Sequence, residues 1–115
     1  MSGPETLDIE ISVAEAASRR AAGEKLVLLD VREDWEFEQA HIDGAEHIPL
    51  PQLPMHLEDF LRERPEEEII CYCHSGRRSL TAADWLRRSG CPRARSLAGG
   101  IDAWSVDVDP SIPRY

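Results

Sequence analysis

No stretch of the 115 residues approaches the apolar length that a membrane-spanning helix needs, and MSGPETLDIEIS has neither the basic start nor the apolar run of a secretory signal. The expectation is a cytoplasmic protein. Cysteine is scarce: three residues, at 71, 73 and 91, form an odd set whose spacing matches no disulfide framework and suits a reducing compartment. Positive charge is also in short supply. With 13 Lys+Arg against 22 Asp+Glu the formal charge is −9, which argues against nucleic acid or an anionic membrane as a partner. The deficit is local, since residues 1–70 hold 6 basic against 18 acidic side chains and residues 71–115 hold 7 against 4. Any attraction for small anions therefore belongs to the second part. A Gly/Ser- or Pro-rich linker is missing too, and 115 residues at 42% hydrophobic content can bury one core, so the expected organisation is a single domain over 1–115, frayed over 1–6.

What the chain does have is concentrated in EIICYCHSGRRSLTAADWL, residues 68–86. The β-prone run Ile69-Ile70-Cys71-Tyr72 leads into Cys73, a polar loop with one glycine follows, and a helix-patterned segment opens near Ser79, the expected cap. First-turn amides of such a helix have no intrahelical partner and carry the positive end of the helix dipole, so they favour an anion in the loop. A cysteine there should ionise readily, with Arg77 and Arg78 close by, and thiolate is the nucleophilic form.

Three ordered stretches, LLDVREDWEFEQAHIDGAEHIPL (28–50), IICYCHSGRRSLTAADWLRRSG (69–90) and LAGGIDAW (97–104), resemble the signatures of the rhodanese family of sulfurtransferases. The resemblance implies a three-layer α/β rhodanese-like fold, a mainly parallel central sheet flanked by helices. It also implies catalysis by Cys73, an active-site loop of His74, Ser75, Gly76, Arg77, Arg78 and Ser79, and support from Asp30 and Arg32 beside it. In that scheme Cys73 takes sulfur from a small anionic donor, thiosulfate or a persulfide, and passes it to an acceptor without a metal or organic cofactor. Arg78 braces the loop and Arg77, the more exposed, meets the donor. The tail GGIDAWSVDVDPSIPRY is similar to rhodanese domains fused to ubiquitin-activating-like enzymes, which implies a sulfur-acceptor protein as a further partner.

The rest of the chain fits alternating strands and helices. LDIEI (7–11) reads as an edge strand, and Ser12 and Glu15 as a capping box for a helix that Gly23 ends. Leu26 to Leu29 is apolar throughout, as in a strand covered on both faces, with Asp30 and Arg32 at its end. Asp30 reads as a buried carboxylate accepting backbone N–H bonds, and His41 and His47 as structural histidines. A helical patch and a short strand near 46–48 follow, then MHLEDFLRER as a helix with Met55 and Phe60 in the core. After the helix that follows Ser79, stopped by Gly90, come a strand at 95–97, a Gly99-Gly100 turn, a short helix with Trp104 as a core lid, and a tail over 105–115 extended on the surface.

Three alternatives compete for the cysteines. A metal site at Cys71, Cys73 and His74, with Cys91 further on, conflicts with the wider C-x₂-C pairs zinc prefers and with a loop that turns Cys73 away from Cys71. Cys71 is then a small buried hydrophobe and Cys91 a turn residue beside Pro92. A non-catalytic binding or regulatory module on the same fold would be expected to lack the cysteine, which this chain keeps. A cysteine-dependent phosphatase would use a loop one residue longer, whereas only His74 to Arg77 separate Cys73 from Arg78. Loop size therefore predicts that the protein accepts sulfur on Cys73 and hydrolyses aryl phosphates negligibly. Inserting one residue between Ser75 and Arg78 should improve oxyanion binding and impair sulfur transfer in side-by-side assays; robust phosphatase turnover by the unaltered protein would reverse the assignment.

Overall fold

The computed structural model describes residues 7–64 and 67–115, so the fraying expected of 1–6 lies outside the described residues. The chain runs β1 (Glu10–Ile11), α1 (Val13–Ala21), β2 (Leu26–Asp30), α2 (Asp34–Gln39), β3 (Glu46–His47), α3 (Leu53–Glu63), β4 (Glu68–Tyr72), α4 (Arg77–Arg88), β5 (Ala94–Leu97) and α5 (Gly100–Asp107). All strand pairs are parallel and the sheet order is β1-β5-β4-β2-β3. Parallel pairing brings the carboxyl ends of β2, β4 and β5 to one edge of the sheet, where loops can carry function. Register sets their neighbours: Asp30 lies opposite Tyr72, and Cys71 opposite Ser96.

Side-chain alternation along β4 divides the core into two layers. Ile69 and Cys71 join Leu29, Leu53, Phe60, Ala83 and Leu86, beneath α3 and α4. Ile70 and Tyr72 point the other way, into Ile11, Leu28, Leu97, Ile101 and Trp104 beneath α1 and α5. Because β2 and β4 are covered on both faces, their apolar residues run continuously instead of alternating with polar ones. Cys91 also lies in the first layer and is buried, so it is a core residue and not the simple turn residue its neighbour Pro92 suggested.

Several local expectations are corrected. The β1 ladder covers only Glu10–Ile11 of the anticipated 7–11, although the Ile9 carbonyl still accepts from Ser96 N at 2.6 Å. Ser12 Oγ accepts the Glu15 N–H at 3.1 Å, one bond of the expected capping box, while the Glu15 carboxylate faces Arg95 at 3.8 Å. The third helix starts at Leu53, with Pro54 in its first turn where a missing N–H costs nothing. Its inward stripe is then Leu53, Leu57, Phe60 and Leu61; Met55 falls off that stripe and is 79% exposed, not core. The segment 105–115 is not an extended tail, because α5 continues to Asp107 and Ser105 Oγ donates back to the Ile112 carbonyl at 2.6 Å.

At the opposite edge of the sheet, the amino end of β4, Glu68 is buried to 3% exposure and ringed by arginines: Arg19 donates at 2.7 and 2.9 Å, Arg93 at 3.1 Å, and Arg95 lies 3.5 Å away. The bonds from Arg19, followed by Arg93, outweigh burial and hold this carboxyl at about 2, against 4.5 for a free glutamate. A depressed folded-state pKa stabilises the fold above the unfolded value, and that contribution disappears as pH falls through the folded one. Urea unfolding midpoints should therefore decline between about pH 5 and 2. In Glu68→Gln the decline should be shallower and the midpoint at neutral pH lower; an unchanged pH slope would exclude Glu68 as a source of the acid sensitivity.

Candidate active site

β4 ends at Tyr72, and Cys73 is the first residue of the loop that follows. Its side chain stays in the same buried layer as Cys71, so the loop does not turn it away as expected, and the residue is only 1% exposed. Gly76, at φ 115°, caps α4 in a left-handed conformation that a side chain would strain. The helix thus begins at Arg77, two residues before Ser79, which is not the cap. This shift explains the aim of the amides. Gly76 N–H donates to Cys73 Sγ at 3.1 Å and Ser79 N–H at 3.4 Å, and Ser79 Oγ lies 3.5 Å from the same sulfur. Ser79 Oγ is itself fixed 2.8 Å from Ser96 Oγ on β5.

A second helix start holds the other side of the loop. Ile101 N–H donates to the Cys73 carbonyl at 2.9 Å and Asp102 N–H to the His74 carbonyl at 3.1 Å. Those carbonyls are thereby drawn towards α5 and away from the sulfur. The approach is possible only at a glycine, since a methyl group on Gly100 would overlap both carbonyl oxygens. The Gly99-Gly100 pair, a plain turn by its sequence, is a seat for the loop.

Charged side chains brace this arrangement in pairs. Asp30, fully buried, accepts the Arg32 N–H at 2.9 Å and the Arg32 guanidinium at 2.7 Å (Nη2–Oδ2), so it is a buried carboxylate holding a backbone N–H, with Arg32 as its partner. Arg32 is equally buried and also reaches the Ala40 carbonyl at 2.6 Å. Arg78 makes a bidentate pair with Glu36, at 2.6 and 3.0 Å. Burial by itself would raise the Glu36 carboxyl, but Arg78, the Glu33 N–H and the Tyr115 hydroxyl hold it down at about 2. Arg78 is therefore neutralised where it stands. Arg77 is exposed, and among the described residues no ion pair engages it. Ser75 is exposed and His74 half-buried, so both form the rim.

Of the residues expected at the site, Cys73 to Ser79 lie along the loop and the first turn of α4, while Asp30 ends the neighbouring strand β2 and Arg32 follows two residues later. Glu36 and Tyr115 belong to the same constellation, although nothing in the sequence marked them. His41 and His47 do not enter it: His41 Nδ1 and His47 Nε2 bond the carbonyls of Phe37 (2.9 Å) and Arg32 (2.8 Å), and both rings stack on Phe37. Among the described residues no three His, Cys, Asp or Glu side chains gather as a metal-ligand group. Burial pushes the thiols of Cys71 and Cys91 up, which disfavours the nucleophilic thiolate at both.

A family model described as a rhodanese-like domain matches residues 12–107, which includes every strand from β2 to β5 and the whole cysteine loop. The chain belongs to the rhodanese-like domain family. Among curated relatives, a protein of Allochromatium vinosum named sulfurtransferase is 32% identical over 96 residues, 84% of this chain and 87% of that one. The maize adenylyltransferase and sulfurtransferase MOCS3-2 is 38% identical over 97 residues, 81% of this chain but 20% of its own length. The tail resemblance to fused rhodanese domains thus has a counterpart. The chain spans only 20–50% of several such relatives, whose other parts it does not match. Among solved structures, the human single-domain sulfurtransferase TSTD1 superposes with a TM-score of 0.74 at 28% identity, covering 87% of this chain and 97% of that one.

The rhodanese loop of this chain rests on Gly100, and that generates a comparison. Gly100→Ala should destabilise the protein by clash with the loop carbonyls as well as left-handed strain, whereas Gly23→Ala, at φ 88° with open space around it, should cost only about 1 kcal/mol of strain. Thermal unfolding of the two variants measures the difference; equal losses would show that the close approach of α5 is not a constraint.

Proposed function

We propose that the protein is a sulfurtransferase that carries sulfane sulfur as a persulfide on Cys73. The observation that carries this most is the convergence of the Gly76 and Ser79 N–H groups on the Cys73 sulfur, in a loop held open by α5. Hydrogen bonds to an ionised acceptor contribute about 1.5–3 kcal/mol each, more than the 0.3–1 kcal/mol typical of a helix dipole, so the directed amides are the principal stabiliser of negative sulfur. A family relative named sulfurtransferase, matched over most of its length, supports the same assignment.

In the proposed cycle the Cys73 thiolate attacks the outer sulfur of thiosulfate. A new S–S bond forms on Cys73 as the old one breaks, and sulfite leaves with the electron pair. An acceptor nucleophile such as cyanide then attacks the outer sulfur of the persulfide, taking it as thiocyanate and returning the thiolate. No net oxidation and no cofactor is involved. In both steps the charge lies on sulfur within the amide cradle, which acts as an oxyanion hole does for oxygen. A persulfide of a small thiol or of a protein cysteine fits the same chemistry as donor. By likeness to the fused maize relative, an acceptor protein is a further partner. A reducing compartment, the cytoplasm, would keep the three free cysteines as thiols.

The two arginines differ in role because they differ in pairing. Arg77, exposed and without an ion-pair partner among the described residues, meets an anionic donor; Arg78, tied to Glu36, holds the loop. Cys73→Ser should abolish transfer while Cys71→Ser and Cys91→Ser retain it. Removing Arg77 should raise KM for thiosulfate by about threefold to fivefold, the effect of one lost exposed charge contact, and leave an uncharged donor nearly unaffected. Removing Arg78 should lower kcat for both donors. Steady-state kinetics with the two donor types checks this, and equal losses for both donors in both arginine variants would sink the division of labour.

A further inference from the structure

The last described residues bend back onto the loop. Ser105 anchors the Ile112 carbonyl, and the Arg114 guanidinium pairs with Asp102 of α5 at 2.8 Å. These ties deliver the Tyr115 ring to the rim, where its centroid lies 4.5 Å from the His74 ring and 5.9 Å from that of Trp35, edge-on. The hydroxyl stands between the two arginine–carboxylate pairs. It accepts from Arg32 Nη1 at 2.8 Å and donates to Glu36 Oε2 at 2.7 Å. One uninterrupted run of hydrogen bonds, Asp30 to Arg32 to Tyr115 to Glu36 to Arg78, thus joins the end of β2 to the first turn of α4.

We propose that Tyr115 is a positioning residue for the reaction at Cys73: its hydroxyl fixes Glu36, and through Glu36 the Arg78 guanidinium that braces the loop. The reaction it serves is the sulfur transfer proposed above, on which this inference rests. The Tyr115 hydroxyl bonds Arg32 and Glu36 and not Cys73 or its amide donors, so the hydroxyl acts on the loop through the carboxylate. The direction of the bond is stable around neutral pH. Burial, with Arg32 opposing and Glu36 adding, pushes the phenol up to about 12, while Glu36 stays ionised, so the phenol always has a proton to give. Without that donor, Glu36 would be held from fewer directions, and the Arg78 guanidinium it fixes at the first turn of α4 would lose its set position.

Tyr115→Phe removes the hydroxyl and keeps the ring against His74. A double-mutant cycle with Glu36→Gln tests the route, read both as kcat/KM for thiosulfate-to-cyanide transfer and as the rate of iodoacetamide alkylation at the Cys73 peptide at fixed pH. Tyr115→Phe should slow both by about fivefold, the worth of one net hydrogen bond, and the double variant should be no slower than the slower single variant. Should Glu36→Gln fail to fold, Arg78→Lys closes the same cycle. Losses that multiply would show that Tyr115 acts independently of Glu36, and unchanged rates in Tyr115→Phe would show that it does not act; either overturns the inference. If the unaltered protein transfers no sulfur, the proposed function falls, while the alkylation cycle still decides whether Tyr115 works through Glu36.

Discussion

Two helix N-termini compete for one short loop, and its chemistry follows from how they share it. α4 turns its free amides onto the Cys73 sulfur, and α5 takes the carbonyls of Cys73 and His74. A loop with only one of these partners would present a mixture of amide and carbonyl dipoles to the sulfur, which would largely cancel. With both, the donors face inward and the acceptors outward. Gly76 and Gly100 are the two residues that make the division possible, the first by its left-handed turn into α4 and the second by letting backbone approach backbone.

Electrostatics at the site is more economical than the abundance of arginine suggests. Arg32 and Arg78 are each tied to a carboxylate, and each of those carboxylates accepts more than one hydrogen bond. Such buried or half-buried pairs do little for net charge but are costly to break one partner at a time, so they work as fixed geometry. The field available to an incoming anion comes from the amides and from Arg77. This separates a buried cradle from an exposed charged rim, an arrangement that suits the sulfur transfer proposed above.

Much of this was legible in the sequence. The apolar runs of β2 and β4, the cysteine after the second of them, the arginines and the bracing Asp30 lie within short spans, where period and spacing speak directly. Ser79 has the composition of a cap, but the left-handed conformation at Gly76 puts the cap, and with it the start of α4, three residues earlier. Met55 faces solvent because it stands two positions from both Leu53 and Leu57, about 200° round the helix from the inward stripe, so being apolar does not bring it into the core. Glu36 and Tyr115 were invisible for another reason: their roles depend on partners 42 and 83 residues away, and no local pattern encodes a contact of that span. The Gly99-Gly100 pair was visible but underestimated, since a glycine needed for close approach looks the same in sequence as one needed for a turn.

The central claim is that Cys73, and neither of the other cysteines, carries transferable sulfur. Mass spectrometry with fragment ions that separate Cys71 from Cys73, after treatment of the unaltered protein with thiosulfate or a small-molecule persulfide, addresses it directly. One added sulfur atom is expected on Cys73, and it should be lost, with thiocyanate formed, when cyanide is added. Absence of sulfur from Cys73 with every donor, or its accumulation on Cys71 or Cys91 instead, would contradict the account.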